Sequence, residues 1–248
     1  IYSGACIRVR RSSDDTEQDI PFLNDVIDED ELLSFTGATL DDKGYVVTWY
    51  DQSGNGNDAT NTEMSEQPLI VNAGAVILAS NGKPTTSFDG VNDSLGLDTG
   101  INVGQDFYES FVFERTTAGI NSLSLGTKAN INPFCFLWNT ANTLYSGMEE
   151  SGSNSHATGQ TQVGDFLATT RRESLNNNVT MRLNGAGVGL ANYTIGNPAR
   201  LTDLGAKNNG LATIYSNGFI QELIHYKVDK SASQSFIETN TNNFYLLY

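Results

Sequence analysis

Apolar and polar residues alternate in short runs along most of this chain, and stretches rich in glycine, asparagine and serine separate the runs. In residues 5–10 two aliphatic side chains alternate with two arginines, which is the pattern of a half-exposed strand. Residues 45–50 are all β-branched or aromatic and the polar residues 51–58 follow them, which predicts a strand and then a sharp surface turn. Further strands are predicted at residues 69–71, 75–78, 85–88, 94–97, 107–114, 122–125, 134–138, 143–146, 166–172, 179–183 and 211–226.

Helical patterns are few and short. Residues 28–35 begin with carboxylates, which suit the positive end of a helix, and Gly37 supplies a stop signal. A second helix is predicted near the C-terminus, with Ser231 or Ser233 as its N-cap. Many short strands with almost no helix predict an all-β fold, a two-sheet antiparallel β-sandwich or jelly roll with one or two short helices. We expect residues 1–248 to form a single domain of this kind.

The overall charge narrows the class of partner. The chain has 248 residues and a net charge of −15. Its densest basic group is Arg8, Arg10 and Arg11, whereas a nucleic-acid surface needs a basic patch, so nucleic-acid binding is not expected. No apolar run is long enough to span a bilayer, so membrane insertion is not expected either. An acidic, asparagine-rich surface suits an extracellular, cell-surface or virion setting in which divalent cations are available.

Cys6 and Cys135 lie too far apart in the sequence to suggest a metal or redox motif. Two buried free thiols are one interpretation, and a single disulfide is the other. The chain also starts in what resembles the interior of a strand and has no initiating methionine. We therefore expect it to be a processed or excised part of a longer protein.

Two polar segments resemble the N-terminal half of a known catalytic domain. The sequence VRRSSDD at residues 9–15 is followed by WYDQSGNGN at residues 49–57. The pair is similar to the β-sandwich catalytic domain of fungal and bacterial α-L-arabinofuranosidases, in which an Arg-x-Ser-Asp-Asp stretch precedes a Tyr-Asp-Gln-Ser-Gly-Asn-Gly-Asn turn. The resemblance implies a β-sandwich and raises the question of glycoside hydrolysis.

Later segments resemble a second group of domains. NGKP at residues 81–84, FDGVND at 88–93 and the Asn-Gly turn at 184–185 are similar to laminin-G or concanavalin A-like lectin domains. Such domains occur in bacterial surface proteins and phage structural proteins. GAKNN at residues 205–209 and GFIQE at 218–222 fit the same group. The resemblance implies a concanavalin A-like fold, which hosts many different functions.

The catalytic carboxylates of the arabinofuranosidases are not matched in this chain. Their nucleophilic glutamate lies on a strand that resembles residues 133–147, where this sequence has no carboxylate until Glu149. Their acid/base aspartate follows a Gly-Gly pair in a loop that resembles residues 205–210, which contain no aspartate. The paired cysteines that shape the family's sugar pocket are absent too. Because amides can neither form a glycosyl ester nor donate the proton, we predict that arabinofuranosidase activity is absent.

The resemblance also gives candidates for ligand binding. The segment in which the related hydrolases bind sugar contains, in this chain, Trp138, Asn139, Asn142 and Tyr145. The aromatic rings would stack on sugar C–H groups, and the amides would bind hydroxyls. The alternative is that Trp138 and Tyr145 are ordinary core residues.

Asp89, Asn92 and Asp93 form a candidate metal site. Hard cations such as Ca²⁺ prefer several carboxylate and carbonyl oxygens, and lectin-like domains often hold a structural cation near such a corner. The alternative is a tight turn stabilised by hydrogen bonds from the backbone to the aspartate and asparagine side chains. Residues 51–58 present the same two alternatives.

Three hypotheses for function follow. The first is a non-catalytic carbohydrate-binding and adhesion module of a larger cell-surface or virion protein, such as a phage tail or head fibre. Its partners would be a cell-surface glycan, bound weakly at each site and strengthened by multivalency, and other chains of the assembly. The second is a glycoside hydrolase that uses Glu149, Glu150 or Asp165. The third is a purely structural virion decoration domain that binds only protein.

Overall fold

The computed structural model describes residues 4–102, 106–128, 133–148, 155–157, 160–176, 178–192, 200–208 and 212–248. Its strands are β1 (Ile7–Arg11), β2 (Glu17–Ile20), β3 (Phe22–Leu23), β4 (Val26–Ile27), β5 (Gly44–Trp49), β6 (Ala59–Thr60), β7 (Leu69–Asn72), β8 (Ala75–Val76), β9 (Thr86–Asp89), β10 (Leu95–Asn102), β11 (Phe107–Arg115), β12 (Ser122–Leu123), β13 (Leu125–Gly126), β14 (Pro133–Trp138), β15 (Leu144–Met148), β16 (Ser155–Ala157), β17 (Gly164–Glu173), β18 (Asn178–Leu183), β19 (Ala186–Asn192), β20 (Arg200–Leu204), β21 (Ala206–Asn208), β22 (Thr213–Tyr215) and β23 (Asn217–Tyr226). Its helices are α1 (Glu29–Thr36) and α2 (Gln234–Tyr245), with a 3₁₀ turn at Met64–Glu66.

Antiparallel pairing connects most of these strands into one long ladder. Its strand order is β13-β20-β10-β6-β5-β7-β9-β23-β11-β17-β18-β19, and β12-β14-β15-β16 form a second sheet. The ladder is curled rather than flat. A Cβ added to Gly205, just after β20, would lie 2.7 Å from the ring of Phe88 in β9, although four strands separate β20 from β9 along the ladder. The β20 end of the ladder therefore folds back over its middle strand β9.

The second sheet packs on the same core. Trp138 at the end of β14 has its ring centroid 5.1 Å from that of Phe166 in β17, and both belong to one large apolar cluster. Strand β11 runs through the middle, and every one of its residues is buried. This arrangement confirms the predicted all-β, antiparallel sandwich with two short helices.

Burial of β11 encloses polar groups as well as aromatic rings. Glu109 accepts a hydrogen bond from the Ser124 hydroxyl, and its carboxylate lies 3.4 Å from Nδ1 of His225. Both side chains of the Glu109–His225 pair are almost completely buried.

Both helices begin and end near the predicted residues. Helix α1 follows Asp28, whose side chain accepts a hydrogen bond from the Glu31 backbone N–H at 3.0 Å, and it stops at Gly37, which has a φ of 96°. Helix α2 follows Ser233, one of the two predicted N-caps. It packs on β11 and β17 through Tyr245. No helix in the described part of the chain is long and apolar enough to cross a membrane.

Some strands were not evident from the sequence. Strand β19 contains three small residues among its first five, so its sequence is not typical of a strand. It forms a hairpin with β18, and the turn of this hairpin consists of Asn184 and Gly185, which have φ of 48° and 73°. The hairpin predicted at these two residues is confirmed.

Cys6 is a buried free thiol, which is one of the two interpretations that the sequence left open; the side chain of Cys135 lies outside the described residues.

Candidate functional site

Trp138 is fully buried, although the resemblance to the arabinofuranosidases implies that its ring stacks on a sugar. Its indole Nε1 donates a hydrogen bond to the Gln160 carbonyl oxygen at 2.9 Å. The Arg115 guanidinium covers the ring, with its central carbon 4.3 Å from the centroid, and the Phe166 ring packs nearby. Trp138 is therefore a core residue, the second of the two interpretations, because its indole has no surface open to a ligand.

Asn139 and Asn142 shape the turn between β14 and β15. The side-chain oxygen of Asn139 accepts hydrogen bonds from two backbone N–H groups of the turn at 2.9 and 3.0 Å. Asn142 has a φ of 56°, a conformation that asparagine tolerates well. Its side-chain oxygen accepts hydrogen bonds from Nη2 of Arg115 at 2.7 Å and from the Gly119 backbone N–H at 2.9 Å. Both amide oxygens are thus engaged inside the protein.

Tyr145 is half-buried and packs against Leu123. The structure thus brings the four candidate residues together on one hairpin, with Trp138 inside the core and the two asparagines holding the turn. Ligand contact by Asn139, Asn142 and Tyr145 stays a prediction. Nothing in their described contacts distinguishes them from structural residues.

Asp89, Asn92 and Asp93 form the turn after β9. Oδ1 of Asp89 accepts hydrogen bonds from the backbone N–H groups of residues 91–93 at 2.7, 3.2 and 3.4 Å, and Oδ2 of Asp93 accepts one from the Asp89 N–H at 2.9 Å. The Asn92 amide donates to the Ser65 carbonyl oxygen at 2.8 Å. These are the hydrogen bonds of the turn alternative. Among the described residues no group of three or more His, Cys, Asp or Glu could hold a metal ion, and Ca²⁺ binding here stays a prediction.

The two aspartates of this turn also line an open surface pocket of about 380 Å³, a size at the lower end of ligand pockets. Arg10, Tyr45 and Leu69 form a row across its floor, because Arg10 is the register partner of Tyr45 and Tyr45 is the register partner of Leu69. The remaining lining residues are Ser12, Met64, Ser65 and Gln67. We call this cavity the Arg10 pocket.

The Arg10 side chain is held firmly in place and is only 7% exposed. Its Nε donates a hydrogen bond to Oε1 of Gln67 at 2.8 Å, and Nη1 donates to Oδ1 of Asp15 at 2.5 Å. Its Nη2 donates to the Met64 carbonyl oxygen at 3.3 Å, and the guanidinium lies 4.4 Å from the centroid of the Tyr45 ring. A guanidinium has five N–H groups, so two of them have no partner among the described residues.

The aspartates contribute acceptors to the pocket. Oδ2 of Asp89 and Oδ1 of Asp93 accept no hydrogen bond from the described residues, because the turn engages the other oxygen of each carboxylate. Burial, helped by the charges of Asp89 and Glu66 and opposed by the hydrogen bond from the Asp89 N–H, raises the pKa of Asp93 to about 6. Asp93 is therefore mostly ionised at neutral pH and titrates slightly below it.

These groups suit a polyhydroxylated ligand. One concave surface is lined by a fixed donor, two carboxylate acceptors, the half-buried side chains of Tyr45 and Leu69, and the exposed side chain of Met64. The sequence placed Arg10 on the exposed face of its strand, and this prediction is wrong, because Gln67, Asp15 and the Met64 carbonyl surround its guanidinium. No local pattern points to the row across β1, β5 and β7, since it depends on pairing between distant segments.

A second group of carboxylates lies on β11 and β17. Glu114 is the register partner of Asp165, so their side chains share one face of the sheet. Ser80 donates hydrogen bonds to Glu114 from its hydroxyl and its backbone N–H. Burial raises the pKa of Asp165 to about 6, and the charge of Glu114 adds to the shift. Oδ1 of Asp165 is buried without a hydrogen-bond partner among the described residues, whereas Glu149 and Glu150 lie outside them.

This chain is similar in fold to solved structures of known proteins. No protein-family model and no curated protein matches this chain. An arabinofuranosidase complexed with arabinofuranosyl-α-1,2-xylobiose aligns at a TM-score of 0.63 and 14% identity, over 96% of this chain and 59% of its own. A GH54 α-L-arabinofuranosidase soaked with a cyclic sulfate inhibitor aligns at a TM-score of 0.65 with the same identity and coverage.

A smaller similarity exists to the CBM40 domain of a Ruminococcus gnavus sialidase, with a TM-score of 0.46 and 13% identity over 63% of this chain and 97% of that domain. The present chain spans 59% of the length of the two arabinofuranosidases. At 14% identity the two arabinofuranosidase comparisons support the β-sandwich fold alone and leave the function to the residues of the site.

Proposed function

We propose that this chain is a non-catalytic carbohydrate-binding and adhesion module of a larger protein. The observation that carries the proposal is the Arg10 pocket, in which Arg10, Asp89 and Asp93 keep hydrogen-bonding groups without partners beside an apolar surface. The arabinofuranosidases that share this fold act on or bind glycosides by their names, which favours a glycan over other small polyols.

The proposed absence of catalysis rests on the segments that resemble the hydrolase site. The turn between β14 and β15 carries amides that hold the backbone, and no carboxylate. The segment that resembles the acid/base loop, residues 205–210, has no aspartate in its sequence, and its described part contains β21, in which Lys207 is 4% exposed. Neither segment supplies the pair of carboxyl groups that retaining glycosidases need.

The proposed setting is extracellular, on a cell surface or a virion, such as a phage tail or head fibre. A net charge of −15 keeps such a module soluble and disfavours nucleic acid as a partner. Single sites of this size bind glycans weakly, and association with other chains of a fibre would raise the avidity. A Ca²⁺ ion held by Asp89, Asn92 and Asp93 would use the carboxylate oxygens that otherwise face the pocket, so the ion and a sugar hydroxyl are alternatives at this wall.

A glycan array tests the proposal. The protein is applied in the presence of Ca²⁺ and again in the presence of a chelator, alongside Asp25→Asn as a matched variant. Asp25 lies on an exposed turn between β3 and β4 with a φ of 65°, which asparagine tolerates, so this variant changes charge away from the pocket. We expect one or more glycans to bind both proteins equally. Absence of binding under both conditions contradicts the proposal.

A second candidate function is glycoside hydrolysis by other carboxylates, and one observation favours it. Glu114 and Asp165 are register partners on neighbouring strands, and burial and the charge of Glu114 raise the pKa of Asp165 to about 6, within the range of a general acid. Release of reducing sugar from arabinan or xylan, abolished by Asp165→Asn or Glu149→Gln and kept by Asp25→Asn, would establish this activity. We expect no release from the wild-type protein.

A further inference from the structure

The balance of charge around the Arg10 pocket limits which glycans it can accept. Arg10 is the only cationic side chain among the lining residues, all of which the structure describes, and Asp89 and Asp93 oppose it. Asp15 already neutralises Arg10 through an ion pair of 2.5 Å. The environment that a ligand meets is therefore negative, even though an arginine lies in its floor.

We infer that the Arg10 pocket takes uncharged sugar units through their hydroxyl groups and rejects glycans that carry carboxylate or sulfate groups. The inference rests on the proposed function, because the pocket must first be the glycan site. A hydroxyl group can donate to a carboxylate oxygen of Asp89 or Asp93 and accept from an N–H of Arg10. An anionic substituent can only accept, so it would leave two carboxylates facing a third negative charge.

The opposite expectation, that Arg10 captures an acidic sugar, deserves comparison because arginine often binds carboxylates through two parallel hydrogen bonds. Here the guanidinium is already engaged at all three nitrogens, by Gln67, Asp15 and the Met64 carbonyl. An acidic ligand would compete with an existing ion pair. The net charge of −15 adds long-range repulsion of polyanions, which salt weakens.

An array sorted by charge tests this selectivity. It carries uncharged arabinan, xylan and galactan oligosaccharides beside galacturonan, sialylated and sulfated glycans, at physiological salt. We expect the wild-type protein and Asp25→Asn to bind uncharged glycans at least tenfold more tightly than acidic ones. The double variant Asp89→Asn/Asp93→Asn should lose at least tenfold in affinity for the uncharged glycans. Each asparagine keeps one oxygen for the turn and replaces the other acceptor by a donor.

A positive charge added at the rim of the Arg10 pocket tests the charge selectivity independently. Met64 is 51% exposed and contributes its backbone carbonyl, not its side chain, to the Arg10 network. Met64→Lys should therefore keep the fold and gain binding to acidic glycans. Melting temperatures within about 3 °C of the wild type would show that the variants fold. If the double variant unfolds, the behaviour of Met64→Lys decides the question.

The outcomes separate the inference from the function on which it rests. Acidic glycans bound as tightly as uncharged ones, or uncharged glycans bound equally by the pocket variants, would overturn the selectivity and leave glycan binding standing. Failure of Met64→Lys to gain acidic glycans also counts against it. No binding of any glycan by the wild-type protein overturns the proposed function itself.

Discussion

The hairpin between β14 and β15 and the Arg10 pocket share one local arrangement, an arginine stacked on an aromatic ring. In the hairpin Arg115 lies over Trp138 and donates to Asn142, and both members of the stack are fully buried. In the pocket Arg10 lies over Tyr45, but this pair borders an open cavity of about 380 Å³ together with two carboxylates. The same residue types therefore build a core in one place and a concave polar surface in the other.

Burial separates the two regions chemically as well. It lowers the pKa of Arg115, whose guanidinium donates to the Asn142 side chain and to the carbonyl oxygens of Gln160 and Gln162. Arg10 instead has Asp15 at 2.5 Å, and Asp93, whose pKa burial raises to about 6, lines the same pocket. Open volume beside partly unpaired polar groups, and not residue type, therefore identifies the candidate binding site.

The largest expected effect is on the stability of the hairpin. Trp138→Ala removes a fully buried indole and should lower the free energy of unfolding by about 3–5 kcal/mol. Denaturant unfolding followed by far-UV circular dichroism measures the change. Tyr145→Ala, at a half-buried position on the same hairpin, should cost clearly less. A variant as stable as the wild type but defective in glycan binding would reverse our assignment of Trp138.

The next effect concerns Asn142, which ties the hairpin to Arg115. Asn142→Ala loses two accepted hydrogen bonds and strains a residue with a φ of 56°, so we expect a loss of about 2 kcal/mol in the free energy of unfolding. Asn142→Gly loses the same hydrogen bonds but tolerates the backbone, and should lose somewhat less. If the Arg10 pocket and not this hairpin is the glycan site, glycan binding should be unchanged in both. Equal stability of all three proteins would mean that the turn is not held by this side chain.

The pocket should respond to pH through Asp93. Its folded-state pKa is about 6, above the ordinary value of 3.8, so its contribution to stability is fully present below pH 3.8 and is lost as the pH rises through about 6. Asp93→Asn should therefore gain about 1 kcal/mol relative to the wild type between pH 4 and pH 7, after allowance for solvent screening.

Thermal unfolding at several pH values measures this difference. Asp165 and Glu222 also have raised pKa values, of about 6 and about 7, so the wild-type curve alone does not isolate Asp93. The difference between the variant and the wild type does. A difference that stays constant between pH 4 and pH 7 would contradict the buried environment assigned to this carboxyl group.

The smallest expected effect is that of Ca²⁺. If the turn at Asp89, Asn92 and Asp93 holds the ion, a few millimolar Ca²⁺ should raise the melting temperature by about 2 °C, and Asp89→Asn should remove the rise. Mg²⁺ at the same concentration serves as the control for ionic strength. An identical rise with both cations, or none with either, would leave the turn as a hydrogen-bonded corner without a metal.

The fold followed from the sequence where the signal is local. Alternation in β1 and the cap and stop residues of α1, Asp28 and Gly37, are read along a few neighbouring residues. The site did not follow in the same way. Trp138 is equally compatible with a core and with a stacking surface, and the row of Arg10, Tyr45 and Leu69 exists only after three strands have paired.

Amide hydrogen exchange tests the central claim, that the Arg10 pocket and not the β14–β15 hairpin receives the ligand. The protein is exchanged with and without the uncharged oligosaccharide that binds best on the array. We expect slower exchange in peptides that contain residues 64–67 and 89–93, and no change in peptides that contain residues 138–145. Protection of residues 138–145 with none at the pocket would contradict the account.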